Sequence, residues 1–265
     1  MDNNYTEQEN TWAAMISNCR ITEMQIKWAK EMFSDELGED GTPTFAQIVA
    51  ACKKEEYELW FREPTEGEQK FFDDAIDENI DPPLDYANWK IVGIYDDNDN
   101  SGFYGLAIET GEYTRNGVEN GVILSTRGTE PILWEQWYLD LVNADLNIIN
   151  SDVTEQEQVL HGFIDNQFAS LLAEKQYSNL ATAGHSLGGY LAFSAAAHIA
   201  ADTNSYAYKI FMQGTNIDGP GVTEENLAEP VNQAIYAEIN DRLTHYHYTY
   251  VRETLIPIFS NYIVS

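Results

Sequence analysis

Residues 179–201 read NLATAGHSLGGYLAFSAAAHIAA, and the character of the chain changes at one point in that run. Residues 179–183 form a short strand, while 187–201 are rich in alanine and unbroken, a good helix whose small side chains let it lie close to a sheet. Between them stands Gly184-His185-Ser186-Leu187-Gly188, a Gly-x-Ser-x-Gly segment on the turn from strand into helix. The two outer glycines leave room for strand and helix to cross, and Gly189 adds clearance. A serine on so sharp a turn is held in a strained backbone conformation with its hydroxyl presented outward. The amide of Leu187 then points toward charge developing on an attacked carbonyl, where the helix N-terminus favours a negative partner. His185, inside the turn and next to the serine, points elsewhere and reads as structural.

Outward from this turn, strands and helices alternate. Residues 89–95, 102–109 and 121–125 read as strands separated by clusters of Asp, Asn and Gly. Thr154 with Glu157 reads as a capping box ahead of a helix carrying Leu160, Ile164, Phe168 and Leu171 on one face. Downstream come a strand over 208–212, a Gly/Pro-rich loop over 214–221, a helix from Thr223 to about Leu243 disturbed at Pro230, and a strand over 246–251. That order predicts an α/β fold with a mostly parallel central sheet flanked by helices, parallel chiefly in its second half. Upstream, Trp12, Met15, Ile16, Met24, Trp28, Met32, Phe45, Ile48, Val49 and Cys52 follow a helical period, broken at 38–43. Asp81-Pro82-Pro83 marks a boundary, because the residue before a proline is pushed out of helix. The expected organisation is a helical N-terminal extension over 1–80, packed on a main domain over 81–265.

A chain of 265 residues with 43% hydrophobic and 12% aromatic residues has enough apolar material for a sizeable core. Its formal charge of -30 repels phosphate, which argues against a nucleic-acid partner. The same field opposes anionic lipid surfaces, so a transient membrane or micelle contact has to rest on exposed apolar side chains, zwitterionic lipid or a bridging cation. Cys19 and Cys52 both fall in the helical part and read as buried free thiols. The N-terminus has neither a basic start nor an apolar run, and no segment reaches the roughly 18 apolar residues that span a bilayer. A cytoplasmic chain, or one exported by a signal-independent route, is the expectation. Asp97-Asn98-Asp99-Asn100-Ser101-Gly102 opens like an EF-hand calcium loop, but Ile108 stands where a bidentate Glu is required. A turn between two strands explains those residues, and no metal ligand set is expected.

Three blocks in order resemble the class 3 lipases and related bacterial lipase-like proteins of the α/β-hydrolase fold. They are Ser125-Thr126-Arg127-Gly128-Thr129, the Gly-His-Ser-Leu-Gly-Gly turn, and Gln213-Gly214-Thr215 running into Gly219-Pro220-Gly221. The resemblance spans about 89–257 and implies Ser186 as nucleophile, with oxyanion donors from the amides of Leu187 and Thr129. For Thr129 a plain strand-ending turn is the alternative. Residues 130–138, EPILWEQWY, fall where those lipases carry a lid helix, with Trp134 and Trp137 as its lipid-facing aromatics. An ordinary helix with a buried aromatic face is the alternative there.

A serine nucleophile needs a base and an acid that orients it, and hydrolases of this fold order them Ser, Asp or Glu, His. By position in the resemblance, Glu253 in Tyr250-Val251-Arg252-Glu253-Thr254-Leu255-Ile256-Pro257 is the candidate acid, with Asp241 and Asp218 as fallbacks. No histidine follows His247, which departs from the family pattern. Either the chain is a piece of a longer protein whose base lies downstream, or the base comes from an unusual place, or the chemistry has been lost. His245 and His247 alternate along a predicted strand and share one face, so both are candidate bases. His161 and His198 fall on helices and read as surface or packing residues. The implied activity is carboxylic ester hydrolysis through an acyl-enzyme, without a cofactor, on a lipid or another ester. A non-catalytic binding module on the same fold, and a thioesterase or amidase, are the alternatives.

Overall fold

Short hairpin turns can join strands only in antiparallel pairs, and helical crossovers join parallel ones. Both kinds of connection meet in this sheet. The computed structural model describes residues 4–57, 64–81, 83–127, 149–219, 239–248 and 259–261, and at 149–154, 247–248 and 259–261 the backbone alone. Among them, β1 (Lys90–Asp97), β2 (Phe103–Gly111), β3 (Gly121–Thr126), β4 (Asn179–His185), β5 (Phe211–Ile217), β6 (Leu243–Tyr248) and β7 (Phe259–Asn261) form one sheet whose spatial order is the chain order. The pairs β1–β2, β2–β3 and β6–β7 are antiparallel, and β3–β4, β4–β5 and β5–β6 are parallel. The α/β class therefore holds. The expectation of a mostly parallel sheet is corrected to a mixed one, because the first three strands are joined by connections of five and nine residues that carry no crossover helix.

The crossovers carry α5 (Ile149–Phe163), a π-helical turn at Ile164–Phe168 and α6 (Ala169–Lys175) between β3 and β4, then α7 (Leu187–Ala201) and α8 (Tyr206–Ile210) between β4 and β5. Parallel crossovers are right-handed, so strands added always in one direction place the two described crossovers on the same face of the sheet. The side-chain alternation agrees. Ala107, Val122, Leu124 and Leu180 share a core with Leu160, Phe168, Tyr190 and Leu191 of the crossover helices. Leu106, Ile108, Ile123, Ala181 and Ala183 point the other way, into a core built with N-terminal residues such as Trp12, Ile16, Phe45 and Ile48.

That second face is covered by α1 (Glu7–Ser17), α2 (Glu23–Met32), α3 (Phe45–Lys54) and α4 (Glu66–Ala75). Each starts at a threonine that makes a reciprocal cap with the Glu or Gln three residues on: Thr6 with Glu9, Thr22 with Gln25, Thr44 with Gln47, Thr65 with Glu68. Helix α1 and the residue before its cap, Tyr5, are also tied to the sheet by polar contacts. Ser125 Oγ donates to the Ala13 carbonyl at 2.9 Å, Gln213 Nε2 donates to the Tyr5 carbonyl at 3.3 Å, and Tyr5 and Thr110 share a hydroxyl hydrogen bond at 3.0 Å. Cys19 and Cys52 are buried free thiols within this layer, and burial pushes the Cys52 thiol up to about 12.

Several boundaries differ from the sequence reading. Helix α5 already begins at Ile149, so Thr154 lies inside it and does not cap it. The carboxylate of Glu157 serves elsewhere, as described below. Ser205 starts one short helix, α8, by accepting from the Tyr208 amide, so β5 begins at Phe211 and runs to Ile217 through part of the expected loop. Strand β6 starts three residues early, at Leu243. The helix expected over 223–243 falls largely outside the described residues. No described helix is long and apolar enough to cross a membrane.

Candidate active site

Strand β4 passes into α7 through Ser186, whose φ of 57° and ψ of -131° lie far outside the regions open to most L-residues. Backbone bonds hold it there. Its N–H donates to the Ile217 carbonyl at 2.8 Å, and its carbonyl accepts from the Gly189 N–H at 2.8 Å. Glycine is required around it by space. A Cβ on Gly184 would stand 2.2 Å from the Gly188 carbonyl oxygen, one on Gly189 would stand 2.1 Å from Asn216 Oδ1, and one on Gly219 would stand 2.3 Å from the Ser186 carbonyl oxygen. The Ser186 hydroxyl does not cap α7, and the residue is partly exposed. Leu187 occupies the first helical position, where an N–H has no intrahelical acceptor.

Register places the other candidates by rows across the sheet. Thr126, Gly184, Asn216 and His245 are aligned on β3, β4, β5 and β6, and His185, Ile217 and Tyr246 form the next row on β4, β5 and β6. Ser186 and Asp218 each follow that row, and His247 follows Tyr246 on β6, so all three backbones reach the same carboxyl edge of the parallel strands. Thr126 Oγ1 donates to the Gly188 carbonyl at 2.7 Å, which ties the end of β3 to the first turn of α7. Asp218, with φ of 52°, donates its N–H to the Tyr246 carbonyl at 2.8 Å. His245 is partly buried, two strands from β4, with its ring edge-on to Phe193 at 6.2 Å. Asp241 is exposed and precedes β6, at the sheet edge opposite Ser186. Thr129, Trp134, Trp137 and Glu253 lie outside the described residues, as does the side chain of His247.

The β1–β2 turn lies at the same edge as Ser186. Asp97 accepts from Asn100 Nδ2 at 2.8 Å and from the Ser101 N–H at 3.3 Å, and the hydrogen bonds from Ser101 and Asn100 hold its carboxyl below the usual carboxylate range. The acidic turn is thus built around its own backbone, as a turn. Arg127, buried just past β3, stacks 5.0 Å over the Tyr104 ring and donates through Nη2 to Asn98 Oδ1, while its N–H donates to the Tyr104 carbonyl at 3.0 Å. These contacts fix the exit of β3.

A second polar group lies behind the turn, between α5 and α7. Glu157 and His161 on α5 and Asp165 in the π-helical turn are spaced by four, and so are Tyr190, Ser194 and His198 on α7. The two series interlock. Tyr190 Oη and Ser194 Oγ donate to Glu157 Oε1 at 2.9 and 2.8 Å, His161 Nε2 lies 3.0 Å from Ser194 Oγ, and His198 Nε2 lies 2.8 Å from Asp165 Oδ1. The two imidazole rings stack 4.1 Å apart and 9° from parallel. Burial, and then the neighbouring His198, push His161 down to about 4, so its ring is neutral. Sequence reading placed both histidines on helix surfaces or in packing and did not join them; the shared four-residue spacing was the available signal.

No family model matches the chain, and no curated protein matches it. Among solved structures, a triacylglycerol lipase from Penicillium expansum is similar to it, with a TM-score of 0.41 and 18% sequence identity over 66% of this chain and 67% of the lipase chain. At that level of similarity the roles of individual residues do not transfer.

Proposed function

We propose that the chain is a serine-dependent carboxylic ester hydrolase acting through an acyl-enzyme. The observation that carries this reading is the backbone of Ser186: a non-glycine residue at φ of 57°, held between a strand and a helix, with Gly219 against its carbonyl where a Cβ would come within 2.3 Å. Strain of this kind costs of order 1–3 kcal/mol, persists only where the surrounding structure over-determines it, and clusters at active sites.

In the proposed reaction Ser186 Oγ attacks the ester carbonyl carbon while its proton passes to a histidine. The amides of Leu187 and Thr129 receive the oxyanion, and loss of one such donor costs about 3 kcal/mol of transition-state stabilisation. Collapse of the tetrahedral intermediate expels the alcohol, which takes the proton from the histidine. Water, deprotonated by the same base, then releases the acid and restores Ser186. His247 or His245 is the assigned base and Glu253 the acid, with Trp134 and Trp137 forming an aromatic lid that favours lipid esters. The chemistry calls for no cofactor.

Labelling with a fluorophosphonate tests the central assignment. The wild-type chain becomes labelled and Ser186→Ala does not; label persisting in Ser186→Ala removes the nucleophile assignment. A wild-type chain that takes no label is instead a binding module on this fold. Rates on p-nitrophenyl esters of increasing acyl length then place the substrate among short esters or lipids.

A further inference from the structure

The loop after β5 meets the Ser186 turn through one buried amide. Asn216 is fully buried and lies in the row of Gly184, on the face that carries α7. A buried amide is unfavourable unless bonded, and Asn216 Oδ1 accepts from the Gly219 N–H at 2.8 Å. A Cβ on Gly189 or on Gly219 would stand 2.1 or 2.4 Å from that same oxygen, so the amide fills the gap between the first turn of α7 and the loop. Gly219 in turn sits against the Ser186 carbonyl, where a Cβ would come within 2.3 Å. The neighbouring residue Ile217 accepts the Ser186 N–H at 2.8 Å. The end of β5 therefore grips both sides of Ser186: Ile217 through its N–H, and Asn216 through Gly219 against its carbonyl.

We infer that Asn216 is a positioning residue for Ser186, acting through Gly219 to hold the serine turn in its strained form; this rests on the ester-hydrolase reading. With the Gly219 N–H unheld, the loop backs away, Ser186 relaxes from positive φ, and Oγ leaves its line of attack. Binding of the acyl group involves other surfaces, so the loss falls on kcat.

The test is hydrolysis of p-nitrophenyl butyrate by the full chain, with kcat and KM measured for wild type, Asn216→Ala, Gly219→Ala and Asn10→Ala. Asn10 is an equally buried amide in α1 whose side chain donates to the Thr6 carbonyl, so its variant reports the cost of losing a buried amide away from the turn. Asn216→Ala removes the hold on Gly219, and Gly219→Ala pushes directly on the Ser186 carbonyl. Both are expected to lower kcat by about 100-fold, the scale of a 1 Å misplacement, with KM within about twofold and Asn10→Ala at wild-type kcat. Should Asn216→Ala fail to fold, Gly219→Ala alone decides, with kcat lowered or kept. A reactive wild type matched in kcat by these variants, or a loss confined to KM, overturns the positioning role alone. A wild type that neither hydrolyses the ester nor takes the fluorophosphonate label overturns the hydrolase reading and this inference with it.

Discussion

Gly184 and Gly162 show why a glycine matters at one site and not at another. At Gly184 a Cβ would sit 2.2 Å from one backbone oxygen and 2.8 Å from a second, the Thr126 carbonyl, and neither can move without breaking the sheet or the start of α7. Gly184→Ala is expected to cost about 4 kcal/mol or more in urea unfolding, or to leave the chain insoluble. At Gly162, inside α5, a Cβ meets nothing within 4 Å. Gly162→Ala is expected to stabilise by roughly 0.5–1 kcal/mol in the same measurement, since alanine is the better helix former. Ser186 and its flanking glycines were legible in the sequence because their spacing is local. Asn216 was not, because Gly219 and Gly189 become its neighbours only once β5 lies beside β4.

Helix α7 shows how far an element can be read alone. Its bounds, 187–201, follow from composition, yet the same composition hides its polar seam, since Tyr190, Ser194 and His198 acquire meaning only against Glu157, His161 and Asp165. That seam predicts an acid sensitivity. Folding holds the His161 ring neutral, with its affinity for a proton lowered from 6.5 to about 4. The unfolded chain therefore binds the proton more readily than the folded one, and stability falls as pH drops through 6.5 and levels off below 4. The loss is on the order of 3 kcal/mol at about 1.4 kcal/mol per unit. Urea unfolding at several pH values should show this slope, and His161→Gln, which keeps a hydrogen-bonding group toward Ser194 without titrating, should flatten it by about that amount. An unchanged slope in the variant would assign the acid loss to other groups. The four N-terminal caps share the pattern Thr-x-x-Glu/Gln, which sequence reading picked out only at Thr154–Glu157, in the middle of a helix. Local pattern proposes a cap, and the packing of Glu157 on Tyr190 and Ser194 overrides it.

Over the whole molecule, the order of the strands decides what the N-terminal helices are for. Crossover helices on one face leave the opposite face of the sheet bare unless α1–α4 cover it, and residues from Trp12 to Ala75 share a core with Leu106, Ile108, Ile123, Ala181 and Ala183. A chain starting at Leu84 is expected to lose near-UV circular dichroism and to bind a hydrophobic dye, because that apolar face is exposed; a native-like spectrum would show that the sheet stands with one layer. Alternating strands and helices made the α/β class legible. The side on which each layer falls was not, because it follows from the handedness of connections that a linear pattern does not express. The same strand order bears on synthesis. Each strand pairs with the one made just before it, so a chain leaving the ribosome extends its sheet in one direction, and α1–α4 emerge before the face they cover. One edge of the growing sheet stays at β1, which meets Thr44 in an antiparallel bridge at Lys90, and the other is always the newest strand, the part closest to the exit tunnel and so least free to meet another chain.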